Sequence, residues 1–226
     1  MRRSFVDILE RNADHAEAFQ FSFDDLQEDQ HPEVVSVSCS DSRVLHDHVW
    51  GNDEPGHVFT CSNIGNRVTQ RGASGDVVSG DVLYPVEHTG TETVVVMGHT
   101  GCGAVTATYD ALSHGLSDLP GIEYCLELLK PHVEPGVEAL PDGLDRSAAV
   151  NHLVEYNVDQ QVSVLRDCDE IGDTVDVIGV VYDFQGVYGG RRGEVHVINV
   201  DGERSVEALR EAYPQIDSRI DRLWTY

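Results

Sequence analysis

The sequence predicts an α/β fold: a mainly parallel β-sheet flanked by helices and entered through an N-terminal helical arm. Three observations lead there. Short runs of β-branched residues, Val34-Val-Ser-Val37 and Val94-Val-Val96, are closed by small and polar residues, the pattern of buried strands running into loops. Amphipathic segments alternate with such runs, which calls for parallel pairing through right-handed crossovers. No repeat, low-complexity tract or linker divides the 226 residues, so one domain spanning 1–226 is expected, long enough to bury a core.

Residues 4 to about 28 are acidic and intermittently aromatic, with Phe5, Phe19, Phe21 and Phe23, and read as short helices forming an arm. The last three cannot share one helical face, so part of the arm is expected to pack irregularly. Strands are predicted at 34–38 and 58–61. Val78, Val82 and Val86 recur at i, i+4 and i+8 and predict a helix over 75–89. Pro85 interrupts it, and an interior proline costs about 3 kcal/mol or kinks the helix. A strand at 93–97 leads into a helix from Cys102 to Ser113, and Ile122, Cys125, Leu126 and Leu129 mark another. The longest amphipathic stretch is 145–166, with Val150, Leu153, Val154, Val158, Val162 and Leu165 on one face and polar positions on the other. Strands at 175–182 and 195–200 follow, the second after the glycine-rich Gly186–Gly193 loop. A helix over 206–212 stops before Pro214.

The charge balance is extreme: 40 acidic residues face 15 Lys and Arg, for a formal net charge of -25. The acids are dispersed, and no run exceeds two, as in Asp24-Asp25, so there is no acidic tail of the interaction type. Dispersed carboxylates suit a halophilic surface that holds water in concentrated salt. Nucleic acid is excluded as a partner by the lack of a basic stripe. No stretch reaches the length of a membrane span, and acidic residues enter before any apolar core of a signal peptide forms, so no membrane partner is expected. Five irregularly spaced cysteines argue against a disulfide framework and for a reducing, cytoplasmic location.

Two stretches carry the chemistry: Cys39-Ser-Asp41-Ser-Arg43 and His99-Thr-Gly-Cys102-Gly. Each follows a predicted strand, and ligands gather at strand carboxyl ends in such sheets. Two thiolates and an imidazole favour zinc over harder metals, and three protein ligands leave the fourth tetrahedral position open, as catalytic zinc sites do. One Zn2+ per chain is therefore expected, on Cys39, His99 and Cys102. Asp41 could orient a zinc-bound hydroxide while Arg43 clamps its carboxylate through two donors. Cys61, Cys125 and Cys168 lack such neighbours and read as packed thiols. Eleven histidines, among them His31, His46, His48, His57 and His88, offer proton relays without one standing out.

These motifs resemble those of the β-class carbonic anhydrases, C-x-D-x-R and H-x-x-C. Asn63-Ile-Gly65-Asn66 is similar to the family's N-x-G/A-N turn, Tyr84-Pro-Val-Glu-His88 to its Y-A-V-x-H helix, and Gly179-Val-Val-Tyr182-Asp183 to its late strand. The resemblance runs from about Gln30 to Asp183. It implies a β-carbonic anhydrase-like fold and reversible hydration of CO2 to bicarbonate and a proton, by attack of zinc-bound hydroxide. Asp41 and Arg43 would be the catalytic pair, and Asp41 would reach the metal only in a closed state. Members that switch to that state carry a tryptophan three residues before the first cysteine; Ser36 stands there. Plant-like members carry glutamine, phenylalanine and tyrosine at places matched by Gln30, Phe59 and Tyr84, the expected substrate-binding residues. Ser62 replaces the arginine that usually precedes N-x-G-N. The family also implies a homodimer or higher even oligomer, embraced by the arm of residues 1–28, with Gln30 contributed across the interface. Two alternatives stay open: a COS or CS2 hydrolase on the same zinc site, and a non-catalytic zinc-binding protein with Asp41 as permanent fourth ligand.

Overall fold

The computed structural model describes residues 2–226. A five-stranded sheet in the order β2-β1-β5-β6-β7 organises the chain, with β1 at Val34–Cys39, β2 at Val58–Asn63, β5 at Thr93–His99, β6 at Asp176–Asp183 and β7 at Glu194–Val200. The first four strands are parallel, and β7 pairs antiparallel with β6 at the edge. From β1 the chain turns to β2 on one side and later returns to β5 on the other. A crevice therefore opens between the carboxyl ends of β1 and β5, where the strand order reverses. Val35, Val37, Val94, Val96 and Val177 are fully buried along these strands, as expected of a parallel sheet covered by helices.

Helices α2 (Gly80–Thr89), α3 (Gly103–His114), α4 (Pro120–Ala139) and α5 (Arg146–Arg166) cover one face, with α5 lying against β5 and β6. A smaller cluster of Val44, Val95, Met97 and Val180, with Trp50 against it, fills the other. The short α6 (Val206–Ala212) precedes a tail packed back on α5.

Four expectations change. The N-terminal segment is a 17-residue helix, α1 (Arg3–Phe19), followed by one short 3-10 helix at Asp24–Leu26, and no residue of either is buried. Phe21 and Phe23 lie beyond α1, in turns. The helix expected over 75–89 begins only at Gly80: Thr69–Gly72 (β3) and Gly75–Val78 (β4) form a hairpin, with Arg71 paired to Asp76 at 2.7 Å. Val78 belongs to that strand, and Ser79 caps α2 by accepting from the Asp81 N–H at 3.3 Å. Pro85 stays inside α2 without ending it. Its missing N–H would have bonded the Asp81 carbonyl, and the Cys61 thiol donates there instead at 3.2 Å.

The fourth change concerns α5. Many of its polar positions do not face solvent: Asn151, Glu155, Asn157, Asp159 and Gln161 are all buried, while Ser163 is exposed. The sheet covers one side of the helix, while α3, α4 and the C-terminal tail cover the rest. Each of these side chains finds a partner, most of them distant in sequence, although Glu155 Oε2 itself has none. Gln161 accepts from the Val68 N–H at 2.9 Å, and Asp159 accepts from Arg222, Asn199 and Tyr226 at 2.5–2.7 Å. Tyr188 donates to Glu155 at 2.5 Å. Buried charges persist only when paired or hydrogen-bonded in this way.

Candidate metal centre and active site

Cys39 ends β1, His99 ends β5, and Cys102 stands at the N-cap of α3, so all three converge on the switch-point crevice. Their ligand atoms lie within 4.8 Å of one another, and all three residues are buried. The two sulfurs are 3.9 Å apart. A disulfide would place them at about 2.05 Å, whereas two thiolates on one tetrahedral zinc at about 2.3 Å each sit about 3.8 Å apart. The His99 ring is oriented for the same centre. Its Nδ1 lies 3.0 Å from the Thr100 carbonyl, which fixes the proton there, and Phe184 stacks on it at 5.7 Å. Its Nε2 is buried with no hydrogen-bond partner, and a metal ion would satisfy that orphaned nitrogen. The donors fit zinc in type, separation and burial.

The surroundings favour negative sulfur. The Cys39 thiol is drawn down to about 5, first by the hydrogen bond from Cys102 and then by His99 and the Gly65 backbone N–H. The Cys102 thiol is pushed up by that same contact and by burial, although the Ala104 and Val105 N–H groups at the start of α3 act against the rise. A dication supplies what removes the second proton.

Asp41 sits beside this centre, its Oδ2 3.7 Å from His99 Nε2. Arg43 holds both carboxylate oxygens, through Nε at 2.8 Å and Nη2 at 2.6 Å, and its backbone N–H adds a third bond at 2.9 Å. These bonds hold the Asp41 carboxyl well below the usual carboxylate range. The clamp is itself braced. Arg43 lies over the Phe184 ring at 4.5 Å and donates to the Gly101 carbonyl at 3.2 Å. The Gly101 N–H donates in turn to Asn151 Oδ1 at 2.8 Å, and Asn151 donates to Gln185 at 3.0 Å. Gly101 has φ +61°, and a Cβ there would meet Gln185 Nε2 at 2.7 Å, so glycine is favoured where His99 is joined to Cys102 and any larger residue would displace the Gln185 side chain.

The Asn63–Asn66 turn forms the facing wall. The Asn63 side chain accepts from the Arg67 N–H and donates to the Arg67 carbonyl, both at 2.8 Å, and Gly65 turns at φ +84° against Leu129. A cavity of about 350 Å³ opens over Cys39, Ser40 and Asp41, with apolar walls that include Ile64, Ala104, Ala107, Ile122 and Leu126.

Cys39, Asp41, Arg43, His99 and Cys102 are thus assembled from two separated stretches of one chain. Gln30, Phe59 and Tyr84 are not brought to that cavity within the same chain. Phe59 pairs with Val35, at the opposite end of the strands from Cys39 and Asn63, which is about 13 Å along β2. Tyr84 faces Phe59, their rings 6.3 Å apart, and is half exposed; Gln30 is exposed ahead of β1. Cys125, read as a packed thiol, lines the zinc cavity, whereas Cys61 is buried against α2. Sequence reasoning missed Phe184, Gln185 and Asn151. The first two follow a strand end, the one signal available for them; Asn151 carried none.

A switch-point crevice bearing two thiols, an oriented imidazole and a clamped carboxylate defines an α/β protein with a mononuclear zinc-type centre. The comparisons take this further. The sequence profile of the carbonic anhydrase family matches residues 34–188. A carbonic anhydrase of Pseudomonas aeruginosa is 32% identical over 146 residues, covering 64% of this chain and 63% of the relative. The match thus spans a little under two thirds of that relative's length. The β-carbonic anhydrase CafA of Aspergillus fumigatus superposes with a TM-score of 0.70 at 28% identity, over 97% of this chain and 100% of the other. A tetrameric β-carbonic anhydrase of Sordaria macrospora shares the fold, with a TM-score of 0.69 at 23% identity, over 88% of this chain and 98% of the other. The chain belongs to the carbonic anhydrase family, in its β class.

Proposed function

We propose that this protein catalyses the zinc-dependent, reversible hydration of CO2 to bicarbonate and a proton. The observation that carries the reading is the buried, partnerless Nε2 of His99 beside two thiols 3.9 Å apart and a carboxylate held on both oxygens. Zinc, held by Cys39, His99 and Cys102, supplies Lewis acidity toward water. Asp41, fixed as an ionised acceptor, takes the hydrogen bond of the attacking O–H and turns an oxygen lone pair toward CO2. Arg43 keeps Asp41 in that role and off the metal, since both oxygens are already engaged. The apolar wall of Ile64, Ala107 and Ile122 suits an uncharged, apolar substrate.

Gln30, Phe59 and Tyr84 are assigned to the site of a second copy, because within one chain they lie at the far ends of the strands. The assembly is then a dimer or higher even oligomer, and the Sordaria relative is a tetramer. Helix α1, with Phe5, Ile8 and Leu9 about half exposed, supplies an apolar stripe for an embracing arm. The working unit is the whole chain as one domain, with the arm within residues 2–28. The net charge of -25 fits a halophilic enzyme, and five free cysteines fit a cytoplasmic one; no helix among the described residues is long and apolar enough to cross a membrane.

Stopped-flow CO2 hydration in molar salt tests the reading. Asp41→Asn should keep a full equivalent of zinc and lose most activity. Cys102→Ala should lose zinc and activity together. Full zinc retention by Cys102→Ala, or normal rates in Asp41→Asn, refutes the assigned roles.

A further inference from the structure

Each CO2 hydrated releases a proton, and the centre described above has no group to carry it to solvent. Both oxygens of Asp41 are taken up by Arg43, and both thiols face the candidate metal centre. We propose that His46 is the proton-relay residue, reached from the zinc cavity through the hydroxyls of Ser40 and Ser62. This rests on the CO2-hydrating reading of that cavity.

The connection is continuous. Ser40 lines the cavity next to Cys39 and Asp41. Its Oγ lies 2.7 Å from Ser62 Oγ, and Ser62 Oγ lies 3.3 Å from His46 Nε2. The other ring nitrogen of His46 is anchored, 2.7 Å from the hydroxyl of Ser38, which is fully buried in β1. His46 also lines a separate surface hollow with Val44, Leu45, Asp47 and His48. Two hydroxyls, themselves exposed, and one imidazole thus join the cavity to that hollow. The other candidate histidines are placed differently: His31 bonds the Thr89 carbonyl, His57 lies between Glu33 and Glu54, His88 packs on Tyr84, and His48 lines the outer hollow itself. None of these contacts leads to the cavity.

A hydroxyl can accept one hydrogen bond while donating another. A proton delivered to Ser40 Oγ displaces the Ser40 proton to Ser62 Oγ, and the Ser62 proton moves to His46 Nε2. Three bonds to hydrogen form as three break; the imidazolium ring then turns its Nε2–H from Ser62 toward the hollow and releases that proton to solvent, which restores the Nδ1–H form. The direction requires the Nδ1–H form of His46, donating to Ser38, so that the Nε2 lone pair faces Ser62. It also accounts for the serine at position 62. An arginine there, as in the family motif, would place a fixed cation where the relay needs a hydroxyl.

The test uses the zinc-loaded protein in weakly and strongly buffered solution. His46→Ala should lower kcat in weak buffer by about tenfold or more, while kcat/KM, which reports steps before proton removal, stays within about twofold. Added imidazole should restore kcat. Ser62→Ala keeps the histidine but breaks the chain, and should show the same split and the same rescue. Independently of activity, long-range 1H–15N spectra of the holoenzyme should show His46 as the Nδ1–H form. Unchanged kcat in weak buffer for either variant, a kcat loss that imidazole does not restore, or an Nε2–H ring overturns the relay. A wild-type zinc protein without CO2 hydration overturns the relay and the functional reading together.

Discussion

Gly101 links the candidate metal ligands His99 and Cys102 to the Asp41 clamp, and Gly101→Ala isolates that link. The backbone there has φ +61°, which costs an L-residue about 1–2 kcal/mol. The new Cβ would also stand 2.7 Å from Gln185 Nε2, so Gln185 must swing away and give up its 3.0 Å bond from Asn151, a further cost of about 1 kcal/mol. Together the substitution should destabilise by about 2–3 kcal/mol, or about 4–12 °C in Tm for a chain of this size. Two contacts meet at that residue: its carbonyl accepts from Arg43 and its N–H donates to Asn151. Activity should therefore fall beyond what the fraction unfolded explains, with zinc still bound. Thermal melts, zinc content and stopped-flow rates are compared for Gly101→Ala, Gln185→Ala and the double variant. Because Gly101→Ala already breaks the Gln185 bond, adding Gln185→Ala should cost nothing further, leaving a coupling of about 1 kcal/mol. Strictly additive losses, or a Gly101→Ala protein with wild-type Tm and rate, would refute the reasoning.

Two other expectations follow from the buried network and the arm. Burial raises the Glu155 carboxyl from 4.5 to about 7. Its contribution is fully present below about pH 4.5 and is lost as pH rises through about 7, a difference of about 3 kcal/mol. Melts between pH 5 and 8 should therefore decline for wild type more steeply than for Glu155→Gln; parallel curves would count against it. Deleting residues 2–28 should yield monomer or aggregate without activity. The intact protein should also lose dimer and activity on dialysis to low salt, as the Debye length grows from about 3 Å at 1 M to about 10 Å at 0.1 M and like-charged subunits repel. Light scattering that found a fully active monomer would rule out a shared site.

Much of this molecule was legible from local pattern. The valine runs placed β1 and β5, because continuous β-branched stretches suit strands buried on both faces. The convergence of Cys39, His99 and Cys102 and the Arg43–Asp41 clamp were legible because a metal-type donor set and a bidentate clamp call for particular side chains at short, fixed spacing. The β3–β4 hairpin was hidden by a coincidence of period: Val78, Val82 and Val86 fall on one helical face, yet only the last two are in the helix. The length of α4 was hidden by Pro131 and Pro135, which the helix accommodates.

The sequence by itself determined the strand–helix order, the chemistry of the donor set and the clamp, since these depend on residue type and nearest neighbours along the chain. Tertiary structure alone decided what surrounds them. It buried much of the polar face of α5, brought Asn151, Phe184 and Gln185 around Gly101, and set Gln30, Phe59 and Tyr84 at the far ends of the strands. It also tied Ser40 through Ser62 to His46, residues whose contacts span 16 and 22 positions. Such contacts obey no period. They form where two segments happen to be packed together, and one hydroxyl or amide in the right place carries no mark in the sequence that distinguishes it from its neighbours.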